Sequence, residues 1–356
     1  MNILILGGTG AMGAYLSGML VKVGAAVVVT SRNRTGVVDG VRYVTGDAQS
    51  SIFLDEILTM MHWDCIVDFM NYSTKSFELR YPKLLSRCDH YIFISSARVY
   101  AKSESPVNEG SARLLDVIKD EKYIETDEYA LAKARQENFL FRSERKNWTI
   151  VRPYITYSPL RMQFGAMEKE GWLHGVLNGR SLVVPRDILH RKTTLTHGRD
   201  VASAIAKMIG VKRVMSEVYQ ITEPSSLYWR EVLSVYLDTL VELGLERPAI
   251  KEVSNEVYSR LLPSPYPLIF DRSYNREFDC TKLQTSVALP SFMPAKDGLR
   301  ECLQKFVVGT PHIFGRINWR AEGVKCRLCG DRIDIKSFAS TKDFIKYLVF
   351  RSLPIY

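Results

Sequence analysis

The sequence predicts a doubly wound α/β fold carrying a smaller second lobe, and three observations predict it. Before Pro153, short apolar runs alternate with helix-like stretches, the sign of a parallel sheet covered on both faces. A glycine-rich turn, Gly7 to Gly13, follows the first apolar run directly. After Pro153 the pattern loosens into shorter segments rich in Gly, Pro and aromatic residues.

In order, strands are expected at 3–6, 26–30, 42–44, 65–69, 91–95 and 149–152, with helices at 14–23, 53–61, 76–86 and about 126–142. A helix at 200–209 and a strand at 218–221 are expected to return to the first lobe, and further helices at 228–243 and 296–307 to belong to the second. The expected division is therefore 1–153 with 196–222, then 154–195 with 223–312, then a basic extension at 313–356. That extension holds nine Lys or Arg against four Asp or Glu.

The formal net charge of +9 favours an anionic partner without choosing among dinucleotide, sugar nucleotide, nucleic acid and membrane surface. No stretch reaches the roughly 18 apolar residues needed to span a bilayer, and the opening MNILILGGTG reads as a buried strand, so a cytoplasmic protein is expected. The six cysteines are scattered and expected to stay reduced. Cys326 and Cys329 form a lone pair without two further ligands, and the histidines show no ligand spacing, so no metal site is expected.

In the glycine turn, Gly7 permits the tight bend, Gly10 lets backbone approach a pyrophosphate, and Gly13 lets helix and strand pack closely. Ala11 and Met12 lead into a helix whose free N–H groups suit phosphate. The second strand ends Thr30, Ser31, Arg32, Asn33, Arg34 with no carboxylate. Ser31 and Arg32 there suit the 2′-phosphate of NADP, so NADP(H) is favoured over NAD(H). Asp47 is expected either to meet the adenine or to cap the next helix.

Ser96 stands at the end of the fifth expected strand, and Tyr129 and Lys133 lie four apart on a helix, on one face. A nearby ammonium stabilises a phenolate, which suits Tyr129 to general acid/base work.

At these residues the chain resembles the NAD-dependent epimerase/dehydratase group of the extended short-chain dehydrogenases, over about residues 1–312. The resemblance extends through Glu137, Arg152-Pro153, Tyr157-Ser158-Pro159 and His197-Gly198-Arg199-Asp200-Val201. It implies a Rossmann sheet and a nucleotide-sugar substrate. Tyr129 would exchange the hydroxyl proton, Ser96 would bond the same oxygen, and Lys133 would bind the nicotinamide ribose. By analogy it also implies a homodimer.

Several residues depart from the family pattern. Ala97 and Arg98 stand where 4,6-dehydratases carry an Asp-Glu pair, which disfavours water elimination. The fourth expected strand ends in the bulky run Asp68, Phe69, Met70, Asn71, Tyr72. Tyr154 follows Pro153 near the expected substrate, and Arg186 and Arg191 offer charge to a diphosphate. His197 is expected to be structural and Asp200 to cap its helix. The sequence thus points to an epimerase or 4-ketoreductase on a nucleotide-activated sugar, in glycoconjugate precursor synthesis, with no nucleic acid partner. The alternative is a non-catalytic RNA-binding or regulatory relative, which a basic chain permits.

Overall fold

A computed structural model describes residues 1–309 and 312–353. Contacts divide the chain into two units. The first comprises Met1–Ser158, Thr194–Ser225 and Glu277–Ala295; the second comprises Pro159–Thr193, Ser226–Arg276 and Lys296–Tyr356. The expected extension therefore groups with the second unit, although 354–356, like 310 and 311, lie outside the described residues.

The first unit is built on eight strands: β1 (Asn2–Leu6), β2 (Ala26–Ser31), β3 (Gly36–Val38), β4 (Val41–Thr45), β5 (Trp63–Asp68), β6 (Cys88–Ile94), β7 (Trp148–Pro153) and β8 (Glu217–Ile221). Their order is β8-β7-β6-β5-β1-β2-β4-β3. All pairings are parallel except that of β3, which runs antiparallel to β4. Its longer helices are α1 (Gly13–Lys22), α2 (Ser51–Thr59), α3 (Thr74–Ser86), α4 (Tyr129–Arg142) and α5 (Gly198–Met208).

Alternation along each strand sends successive side chains to opposite faces, so each strand feeds two cores. Ile3, Ile5, Val27, Val29 and Val67 pack with Leu16 and Leu20 of α1 and Ile205 and Met208 of α5. Leu4, Leu6, Val28, Ile66 and Phe93 pack with Leu54 of α2, Phe77 and Leu84 of α3 and Leu140 of α4. Both faces are covered, as the apolar runs require. The chain leaves β1 toward β2 and later returns to its other side with β5, so the topological switch lies at β1, where such sheets bind ligands.

Three local expectations are corrected. The hairpin strand β3 was not foreseen; Asp39 and Gly40 both take positive φ (51° and 79°), closing a two-residue turn onto β4. Asp47 is not the cap of α2. Ser50 is, accepting from the Phe53 amide. The helix α5 begins at Gly198, two residues earlier than expected, because His197 caps it through Nδ1, which accepts from the Arg199 amide at 3.0 Å. Asp200 instead accepts from the Met293 amide at 2.8 Å.

In the second unit, strand Leu182–Pro185 pairs in parallel with Ile250–Val253, and helices Lys169–Leu177 and Trp229–Glu242 carry its larger apolar side chains. The helices Trp319–Cys329 and Thr341–Ser352 pack together so closely that a Cβ on Gly323 would stand 2.5 Å from the Tyr347 carbonyl oxygen. Glu322, 2% exposed, pairs with Arg180 at 3.0 Å, and Lys325 donates to the Gly171 carbonyl at 2.6 Å. Buried charges in paired, hydrogen-bonded settings mark an integrated segment and not an appendage.

Candidate functional site

The carboxyl end of β1 runs into the glycine turn. Gly7 has φ +71°, its amide donates to Thr30 Oγ1 at 3.1 Å, and an added Cβ would lie 2.7 Å from Met70 Sδ. At Gly13 an added Cβ would sit 2.5 Å from the backbone of Gly8, so the close packing of helix on turn requires glycine there. A Cβ on Gly10 would meet nothing within 4 Å, leaving that face open. Met12 is the N-cap of α1 and makes no side-chain cap, so the first-turn donors are not satisfied by a capping side chain. Behind the turn, a Cβ on Gly198 would overlap the Ala11 carbonyl oxygen, which brings the start of α5 against it.

Beside this turn lies a cleft of about 260 Å³, lined by Gly7, Thr30, Ser31, Arg32, Asp47 and Met70 among others. Ser31 Oγ accepts from the amides of Asn33 (3.3 Å) and Arg34 (3.1 Å), so it shapes the loop that presents the exposed Arg32. Asp47 Oδ1 accepts from the Gln49 amide at 2.9 Å.

Ser96 caps a single 3₁₀ turn, Ala97–Val99, its Oγ accepting from the Arg98 amide at 3.2 Å. The α4 helix packs on that turn. The Arg98 guanidinium lies 5.4 Å from the Tyr129 ring centre and pairs with Glu128, the N-cap of α4, at 2.7 Å. Arg98 thus touches both Ser96 and Tyr129, a part that its place in the sequence does not announce. Lys133 is 2% exposed, lies 6.0 Å from the Tyr129 ring centre, and donates to the carbonyls of Ile94 (2.8 Å) and Met70 (3.2 Å). Burial pushes its ammonium down to about 8, opposed by Asp68 and Glu137.

One turn further on, Glu137 is fully buried and accepts from Arg152 Nε (2.8 Å) and Nη2 (2.6 Å), Ser95 Oγ (2.6 Å) and Arg113 Nη1 (3.3 Å). This cluster ties α4 to the ends of β6 and β7, fixing where Tyr129 and Lys133 stand.

Other expected residues fall elsewhere. Tyr154 is 1% exposed with its ring 5.1 Å from that of Phe278. Arg186 and Arg191 are exposed residues of the second unit. His197 packs between the rings of Tyr15 and Tyr157, in keeping with a structural part. Among the described residues, the His/Cys/acid group close enough to share an ion is His62, Asp64 and Asp89. It sits at the amino ends of β5 and β6, remote in the sheet from the glycine turn, and His62 already pairs with Asp89 at 3.0 Å. No described helix is long and apolar enough to cross a membrane.

The strand order, glycine turn and two-faced helical cover define an α/β protein of the Rossmann class. The chain belongs to the NAD-dependent epimerase/dehydratase family, whose model matches residues 3–222. A curated relative, the chloroplast stem-loop binding protein of 41 kDa b of Arabidopsis thaliana, is 26% identical over 239 residues, 62% of this chain. The match spans 58% of that relative's length. Among solved structures, the UDP-glucose 4-epimerase of Bifidobacterium longum, in complex with NAD+ and UDP, superposes with TM-score 0.67 at 16% identity, covering 88% of this chain and 100% of that one. The dTDP-glucose 4,6-dehydratase of Bacillus anthracis, in complex with NAD, gives 0.66 at 17% identity, covering 87% and 97%. At these identities the likeness is one of fold.

Proposed function

We propose that the chain is an NAD(P)-dependent epimerase or 4-ketoreductase acting on a nucleotide-activated sugar. The observation that carries this reading is the buried ammonium of Lys133, held by two carbonyls beside the partly accessible phenol of Tyr129. When bound, the nicotinamide ring supplies or accepts the hydride. Gly7, Gly10, Ala11, Met12 and Gly13 would hold the pyrophosphate, with Arg32 and Asp47 along the adenosine side. Tyr129 would exchange a proton with the substrate hydroxyl. Ser96 has one lone pair engaged by the Arg98 amide, which leaves its hydrogen to donate to the same oxygen. Lys133 would hold the nicotinamide ribose. The exposed Arg186 and Arg191 suit a diphosphate, and two protomers would associate through helices that include α4. With Arg32 exposed and no carboxylate at the end of β2, NADP(H) is the preferred cofactor.

The test is dinucleotide binding followed by turnover. Tyr129→Phe should keep the fold and bind cofactor yet lose hydride transfer by about 10²-fold or more, while Ser96→Ala loses less. Full activity in Tyr129→Phe overturns the mechanism.

A second reading, RNA binding, is favoured by the name of the Arabidopsis relative and by the +9 charge. A stem-loop RNA titrated at rising salt decides it: phosphate-driven binding must weaken steeply with salt.

A further inference from the structure

The segment after β5 is held from four sides. The Phe69 amide donates to the Leu6 carbonyl at 2.9 Å, extending the ladder to β1. The Met70 amide donates to Asp68 Oδ1 at 2.9 Å, and the Met70 carbonyl accepts from Lys133 at 3.2 Å. The Tyr72 carbonyl accepts from Gln136 at 2.7 Å, one turn along α4 from Lys133. Asp68 is fully buried, and its other oxygen accepts from the Tyr91 hydroxyl at 2.8 Å. The Met70 side chain, meanwhile, occupies the space a Cβ on Gly7 would need, and Phe69, Met70 and Asn71 line the cleft.

We infer that Asp68 is a positioning residue: by gripping the Met70 peptide it holds the Lys133 ammonium and the wall of the dinucleotide cleft in one arrangement. The catalytic consequence rests on the proposed function; the grip itself does not. Each bond has a distinct task. Asp68 fixes the plane of the Phe69–Met70 peptide; the next peptide, which carries the Met70 carbonyl, is held between that anchor, the Lys133 ammonium and the Gln136 bond to the Tyr72 carbonyl. A carbonyl so aimed, with that of Ile94, defines the two acceptors between which the ammonium sits.

Charge acts in the same direction. The groups facing Lys133 are Asp68 from β5, the Phe93 ring (4.5 Å) from β6, and Tyr129 and Glu137 from its own helix, while Tyr91 and Tyr72 act on Asp68. Glu137 is already shared by Arg152 and Arg113, which leaves Asp68 as the carboxylate without an arginine on it among those facing Lys133. Asp68→Asn is close in size and removes the negative charge while keeping an oxygen for the Met70 amide, whereas Asp68→Ala removes charge and grip together and should lower the Lys133 midpoint and weaken NADPH further; equal effects of the two variants overturn the grip.

The test follows the Lys133 side chain by NMR in full-length protein carrying ¹³Cε-labelled lysine, the signal being assigned from its loss in Lys133→Arg. Asp68→Asn should lower the Lys133 titration midpoint by about one pH unit or more, the scale for a close opposite charge. NADPH, added as the probe, should bind at least about tenfold more weakly, and the alkaline limb of the turnover profile should move to lower pH. Tyr91→Phe, which removes one bond to Asp68, is the second variant should Asp68→Asn fail to fold; it should move the midpoint the same way by less. An unchanged midpoint in the folded variant overturns the inference. Should the wild type bind no dinucleotide, the proposed function fails, and the titration still decides the grip.

Discussion

Replacing Glu137 by alanine should destabilise the first unit by about 3–5 kcal/mol, the cost of breaking a buried ion pair by removing one partner. The structure sets this magnitude. Arg152 is 2% exposed and spends two of its donors on Glu137 at 2.6 and 2.8 Å, so without the carboxylate its charge stays in the core with little beyond the Glu109 carbonyl at 3.5 Å and the face of Tyr100. Ser95 loses its acceptor as well. By comparison, Ser95→Ala removes one hydrogen bond and should cost about 0.5–1.5 kcal/mol. The double replacement Glu137→Met with Arg152→Met removes both charges and should recover much of the loss, because apolar side chains of similar volume avoid the desolvation penalty. Urea denaturation read from Trp63 and Trp148, both buried in the first unit, measures all three. A loss under about 1 kcal/mol in Glu137→Ala, or a double variant as unstable as the single, refutes the reasoning.

Gly10→Ala should fold like wild type and bind dinucleotide far more weakly, whereas Gly13→Ala should lose stability, since its Cβ meets the Gly8 backbone; melting and ligand titration of both variants separate the two effects. Arg32→Ala should weaken NADP more than NAD by about 1–3 kcal/mol, the range for a hydrogen bond to a charged group, read by competitive binding. Burial holds His90 down at about 4, so protons favour the unfolded chain between that value and the ordinary 6.5. Stability should therefore fall by about 3 kcal/mol as pH drops from 7 to 4, and His90→Gln should flatten that part of the curve in urea melts.

The central parallel strands β1, β2, β5, β6 and β7 were legible because each is an apolar run buried on both faces, whereas β4, at VRYVT, is largely uncovered. What escaped was written in shorter signals. The three residues of β3 are all exposed, so no hydrophobic pattern marks them; the turn dipeptide Asp39-Gly40 was the available sign. The start of α5 was misplaced because an imidazole, an unusual cap, does the work expected of Asp200. At the site, the Ser96, Tyr129 and Lys133 positions followed from spacing and resemblance. Asp68 and Arg98 did not, since Tyr91, Lys133, Glu128 and Tyr129 are brought to them only by folding.

The tight approach of Gly198 to Ala11 also orders events in time. On a ribosome, β1 and the glycine turn emerge well before the helix start that backs them, which is made more than 180 residues later. The edge strand β8 and the closing segment Glu277–Ala295 follow later still. A nascent chain halted before Gly198 would carry a nearly whole sheet with its phosphate turn unbraced. If the proposed dinucleotide site needs that brace, a cofactor-dependent increase in protease resistance should appear only in nascent chains longer than that point.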